Sequence, residues 1–461
     1  MKLDRLIGSF VTVFALMLMT GAGASAQSSV DREINVTDGV YRPYPIAIPQ
    51  FNAASPEAEE MARQITEVVR NDLLLTGLFD LSNEQAFIQR DLNINVEPRF
   101  ADWRVIGADG LVVGEVDIMD DGRVLASARL WNITGGDLYR LDGKPGYQGA
   151  TAPTNWRAAA HQIADRIYTR LTGEDGYLNS RIVFIAETGP RTRRVKKLAI
   201  MDQDGANYRE LTSGVHTIIT PRFSTSDQEI TYMSYEGGQA RVYLFNIETE
   251  RQEVLGDFSG MTFAPRFSPD GSGVLFSRAD SGNSDLYIMD LRTRQSRRLT
   301  DHPAIDVSPS MSPDGRSIVF NSDRGGSPQL YIMNTDGSPR TCPSGGRDTA
   351  CRITFDQGRY STPVWSPRGD LIAFTKQLRG RFYIGVIGVD GRGERLLTES
   401  YLDEGPTWSP NGRVISFFRE NQPQAGPKIW SVDLTGRNLR QLPTPTDASD
   451  PAWSPLLDRR G

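Results

Sequence analysis

The chain has 461 residues, 38% of them hydrophobic and 9% aromatic, with a formal net charge of −6. That length allows two or three domains around sizeable cores. The acidic balance excludes a surface built to displace counterions from nucleic acid, and 2 cysteines with 3 histidines exclude a zinc site of ordinary spacing.

At the N-terminus Lys2 and Arg5 precede an apolar stretch from Ile7 to Met19, and Ala24-Ser25-Ala26 offers small residues to a signal peptidase. Residues 1–26 are therefore expected to be a signal peptide, cleaved between Ala26 and Gln27. An uncleaved anchor is the alternative, although the stretch is short for a permanent span. No later stretch approaches about 20 apolar residues, so the mature protein is expected to be exported without a membrane span. Residues 27–50 read as an extended N-terminal segment. Val30, Ile34 and Val36 alternate weakly with polar neighbours, and Pro43, Pro45 and Pro49 oppose a helix.

A small α/β domain is expected over 51–176. Its first helix runs from about Pro56 to Leu75, with Ser55 as cap, Glu57, Glu59 and Glu60 in the first turns, and Gly77 as stop. Met61, Ile65, Val68, Val69 and Leu73 form its apolar stripe. Strands are predicted at Trp103–Ile106, Gly110–Asp117 and Arg123–Trp131, with Asp120 and Asp121 at an exposed hairpin tip. A second helix follows over Trp156–Leu171, stopped by Gly173.

From about residue 177 onward helical periodicity gives way to six copies of one phrase, beginning at Pro221, Pro265, Pro309, Pro363, Pro406 and Pro451. The fullest copies read Pro-Arg-Phe-Ser-Pro-Asp-Gly (265–271) and Pro-Thr-Trp-Ser-Pro-Asn-Gly (406–412), and the spacings are 44, 44, 54, 43 and 45 residues. Strand-like filler at that period predicts a β-propeller of four-stranded blades. The last phrase has too little chain after it to build a blade, whereas strands at Arg181–Ala186 and Lys197–Met201 have no phrase before them. Joining the two gives six blades and a closing sheet made from both ends, which removes open edges. The fold class is thus mainly β: a six-bladed propeller over 177–461 behind a helix-and-sheet domain. In the first phrase Thr225-Ser226-Asp227 replaces Pro-Asp-Gly, so that turn should differ.

In such blades the Ser-Pro-Asp-Gly turns share one face with the turns after the third strand. The links before each phrase share the other face with the loops after the second strand. The link face is longer and more varied and is the better binding surface. Cys342 and Cys351 lie in the one overlong repeat and, in an oxidising compartment, read as a disulfide, with free thiols as the alternative.

Catalytic motifs are missing. The sequence has no Gly-x-Ser-x-Gly, His-Glu-x-x-His or P-loop. His161 falls on the second helix, His216 and His302 fall in loops, and Trp365, Trp408 and Trp453 read as blade packing. No enzyme, metal or cofactor is expected.

The order of signal peptide, extended segment, α/β domain and Trp-Ser-Pro-Asp-Gly repeats resembles the TolB family of the bacterial Tol–Pal envelope system. The resemblance is carried further by Asp102-Trp-Arg-Val-Ile-Gly-Ala-Asp-Gly-Leu-Val-Val-Gly-Glu-Val and the 170–176 turn. It implies a monomeric, non-enzymatic periplasmic adaptor that supports outer-membrane integrity and cell division. The propeller would bind the lipoprotein Pal through His216, Thr217, Met261, Thr262, Phe263, Asp306, Val307, Ser361, Asp403 and Glu404. TolA would bind the segment carrying Val30, Asp31, Arg32, Glu33, Ile34 and Val36. The alternatives are a secreted propeller enzyme or a periplasmic ligand-binding protein using the central tunnel.

Overall fold

A computed structural model describes residues 42–225, 229–236, 239–256, 261–280 and 282–457. The expected signal peptide, the Ala26/Gln27 cleavage site, the segment from Val30 to Val36 and most of the degenerate turn at 226–228 lie outside the described residues.

Local sequence builds the first domain much as its pattern dictates. Pro56–Ala58 form one 3-10 turn and α1 follows over Glu59–Leu75. Ile65, Val68, Val69 and Leu73 are buried, while Met61 is half-buried. Ser55 occupies the cap position but its hydroxyl makes no capping bond. Gly77 at φ +73° ends the helix in a conformation that favours glycine. The sheet contains β1 (Tyr44–Ala47), β2 (Asn52–Ala53), β3 (Phe79–Leu81), β4 (Gly110–Ile118), β5 (Val124–Asn132), β6 (Asp137–Tyr139) and β7 (Tyr147–Thr151), with the path β3-β1-β4-β5-β6. A helix, α3, covers Trp156–Thr172 and packs against α1.

Two expectations need correction here. Residues 44–47 do not belong to a separate extended segment, because β1 pairs in parallel with both β3 and β4 and buries Ile46 and Ala47 completely. Trp103–Ile106 is not a strand, because Phe100–Val105 form a short helix, α2. Tertiary packing decides that case. Trp103 is buried with its ring 5.1 Å from Phe87, while Val105 is 78% exposed, so only one side of the segment has a core to face.

The propeller has six four-stranded sheets among the described residues. The inner strands are Thr217–Phe223, Met261–Phe267, Asp306–Met311, Arg359–Trp365, Leu402–Trp408 and Asp447–Trp453. The last of these pairs with Arg181–Thr188, so both ends of the propeller segment share the closing sheet. Each inner strand begins several residues before its proline, so the expected links are in fact the first halves of strands. Every one is bulged, with a register shift just ahead of the proline or across it. Thr220, Ala264, Ser308, Thr362, Gly405 and Asp450, each directly before a proline, have φ between +47° and +65°. The bulge breaks the period of two, which is why these halves do not look like strands in the sequence. The proline, lacking an N–H, costs no ladder bond on the tunnel-facing edge.

The Ser-Pro-Asp-Gly turn has its own chemistry. The Ser268 amide donates to the Gly273 carbonyl at 2.8 Å, and the Ser268 hydroxyl accepts from the Gly273 amide at 2.9 Å while donating to Asp270 at 2.5 Å. Gly271 supplies the positive φ, +70°. Ser312 and Asp314 repeat the hydroxyl–carboxylate bond at 2.5 Å, and the Ser409 hydroxyl donates instead to the Asn411 amide oxygen at 2.9 Å.

The α/β domain sits on this turn face. Asn438 donates to the Leu75 carbonyl and Asn411 to the Asp175 carbonyl, both at 2.8 Å, and Arg368 pairs with Glu174 at 3.1 Å. Tyr177 meets Trp453 edge-on at 6.0 Å, and the Trp453 indole donates to Ser180 at 2.7 Å. The domain core and the closing sheet form one continuous cluster.

Candidate partner-binding face

Strand polarity fixes which loops face away from the α/β domain. Each inner strand runs toward the turn face, so its start, the link before it and the loop after the second strand lie on the other side. Links are polar-backbone segments that ordinarily expose polar side chains, yet here they expose large apolar ones. Val215 is 77% exposed, Phe355 52%, Ile305 47% and Tyr401 40%, and all four lie in links. Tyr235, near the end of a second strand, joins them.

A groove of about 560 Å³ adjoins this rim between the fifth and closing sheets, lined by Arg191, Arg194, Lys196, Phe418, Glu420 and Asp450 among others. Arg191 bonds Glu420 at 2.9 Å and Arg194 bonds Asp447 at 2.6 Å, which ties the 189–194 hairpin to its neighbours.

The residues expected to touch a partner fall into two groups. His216, Thr217, Val307, Ser361 and Glu404 are exposed or half-buried at the link face, as is Phe263. His216 lies 3.8 Å from Glu236. Met261 begins the second inner strand. Thr262, Asp306 and Asp403 are corrected as contact residues, because alternation along the strand turns them inward and leaves each almost fully buried. Asp306 pairs with Arg324 at 2.7 Å. Asp403 accepts from Arg419 Nε and Nη2, both at 2.7 Å, and from the Thr398 hydroxyl at 2.6 Å. These acids are internal braces. The sequence signal was present, since each Asp stands two residues before the bulge, but the bulge itself was invisible.

Glu404 is the next residue, half-buried on the other side of the strand. Burial, then repulsion from Asp450, pushes its carboxyl up to about 6 from 4.5. The folded state therefore holds that proton more tightly than the unfolded chain. The stabilisation is present below pH 4.5 and lost as pH rises through about 6. Glu404→Gln should accordingly raise stability by about 1–2 kcal/mol at neutral pH. The gain should vanish in denaturant titrations below pH 4.5, and a gain of equal size at every pH would refute the assignment.

Elsewhere, Cys342 and Cys351 are joined as a disulfide with Cα atoms 5.1 Å apart, closing the overlong loop beside a two-stranded ribbon, Arg340–Thr341 with Arg347–Asp348. The sequence reading missed His161. It is buried where α3 meets the propeller, its Nδ1 2.6 Å from Asp72 and its Nε2 3.8 Å from Asp202. Burial alone would lower its pKa, but Asp72 and then Asp202 outweigh that and raise it to about 10. Donor atoms of Asp72, His161 and Asp204 lie within 4.8 Å of one another, close enough to hold a metal ion. Arg157 already binds Asp204 and the imidazolium binds Asp72, so the charges are met within the protein. His302 accepts from the Ala304 amide at 3.1 Å, a local loop bond.

Residues 168–457 match the TolB beta propeller domain family and residues 32–138 match the TolB amino-terminal domain family. The chain belongs to the TolB family. The crystal structure of TolB from Acinetobacter baumannii is similar at a TM-score of 0.77 and 27% identity, covering 92% of this chain and 99% of that one. A putative TolB from Agrobacterium tumefaciens is similar at 22% identity with a TM-score of 0.46, covering 59% of this chain and 90% of that one. TolB proteins are in general periplasmic, and membership of the family points to a non-enzymatic protein. No described helix is long and apolar enough to cross a membrane.

Proposed function

We propose that this chain is the exported periplasmic adaptor of a Tol–Pal system, docking the lipoprotein Pal on the link face and offering its mature N-terminus to TolA. The observation that carries the reading is the asymmetry of the propeller. The α/β domain occupies the turn face, while the opposite face combines an exposed apolar rim with a charged groove. Apolar anchors within a polar surround are what a protein interface uses. Residues 27–40 are mostly polar, a composition suited to a peptide that a partner reads. Support of the outer membrane and of cell division follows from bridging these partners.

Deleting residues 27–40 should abolish capture of TolA and leave Pal affinity within about twofold of the intact protein. Paired pull-downs and calorimetry with purified periplasmic domains measure both. Equal loss of the two partners would contradict the division of labour.

A further inference from the structure

At the turn-face mouth of the tunnel lies a cavity of about 880 Å³, roofed on one side by the Gly173–Gly176 turn. The residue after each phrase proline reaches it from the inner strand. In four blades that residue is Ser310, Val364, Thr407 or Ala452, but in two neighbouring blades it is Arg222 and Arg266. Neither guanidinium has a carboxylate within ion-pair distance among the described residues. Among the described residues Arg222 donates to the carbonyl of the preceding Pro221 at 2.6 Å.

The other charged side chains of the lining do not answer this pair. Glu174 is bound to Arg368 at 3.1 Å and by the Tyr168 hydroxyl at 3.0 Å, and Asp175 sits on the roof turn. Asp450 attracts Arg222, but at a distance. Burial, then repulsion from Arg222, lowers Arg266 well below the ordinary guanidinium value. Arginine does not give up its proton in proteins, so the same physics appears as an unmet demand for negative charge. Two half-buried forked cations beside each other match a planar or tetrahedral oxyanion that accepts two or more N–H bonds.

We propose that this mouth binds a small organic anion, its carboxylate or phosphate held between Arg222 and Arg266 and its body lying against Phe267, Trp365 and Trp408. The volume suits a ligand of that size. Ser310 and Thr407 also line the cavity, but their hydroxyls already accept from the Trp365 and Trp453 amides at 3.0 and 3.2 Å, so the arginines carry the recognition.

Calorimetry and chemical-shift titration of the whole mature protein with benzoate and phenyl phosphate test the proposal, with benzyl alcohol and benzylamine as neutral and cationic controls. The wild type should bind one or both anions and neither control. A response to phenyl phosphate alone assigns a phosphoryl head, and a response to both assigns a general anion. Arg266→Gln and, separately, Arg222→Gln should weaken anion binding by about tenfold or more. Both variants should melt no lower than the wild type, because each relieves a repulsion, and that melt confirms folding. Absence of anion binding to the wild type, equal binding to the controls, or unchanged affinity in both folded variants would overturn the proposal.

Discussion

Replacing Asp403 with alanine is expected to lower stability by about 3–5 kcal/mol. The carboxylate is fully buried and holds Arg419 through two bonds of 2.7 Å, and the guanidinium lies 5.5 Å from the Phe417 ring and 5.0 Å from that of Trp430. Alanine would leave that cation between two rings with no anion. A buried ion pair is not itself strongly stabilising, however, because desolvation of both ions opposes their attraction. The double variant Asp403→Leu with Arg419→Met should therefore recover most of the loss. Equilibrium denaturation with guanidinium chloride measures both. A single-variant cost below about 1 kcal/mol, or no recovery in the pair, would contradict this role. It follows that reversing the Asp403 charge reports on the fold of the fifth blade, and that Glu404 is the cleaner site for testing partner contact.

The second large effect lies at the joint between the domains. His161→Ala should cost about 3–5 kcal/mol, because Asp72 and Asp202 would lose the cation that faces them across a buried interface. The pH dependence distinguishes this from lost packing. The folded pKa is raised from 6.5 to about 10, so the stabilisation is complete below pH 6.5 and is lost as pH rises through about 10. Wild-type stability should thus fall across that window, and the difference between wild type and His161→Ala should shrink with it. A difference that stays constant from pH 6.5 to 10 would assign the loss to packing alone.

The blade count was legible because a phrase repeating every 43 to 54 residues is a direct imprint of architecture. The closing sheet was legible from bookkeeping at the two ends, the unpaired Pro451 phrase and the unaccompanied Arg181 strand. Two things escaped. The αL residue before each proline hid half of every inner strand, since a bulge shifts the alternation by one and turns Asp306 and Asp403 inward. Packing between distant segments left no local trace either. His161 looked like one polar residue on a helix, because Asp72 stands 89 residues earlier in the chain. Helix α2 was misassigned for a related reason, since only the burial of Trp103 chooses between two conformations that its neighbours allow equally.

Docking of a macromolecule on the link face is decided by calorimetric titration of the mature protein with the soluble domain of Pal from the same organism, comparing wild type with Phe355→Asp/Tyr401→Ser on the link face and Arg316→Asp on the turn face. Phe355 and Tyr401 are exposed, so both changes should leave the melting temperature in place. The link-face variant should lose about tenfold or more in affinity, and the turn-face variant should bind like the wild type. Equal affinity for all three proteins, or loss confined to the turn-face variant, would contradict the account.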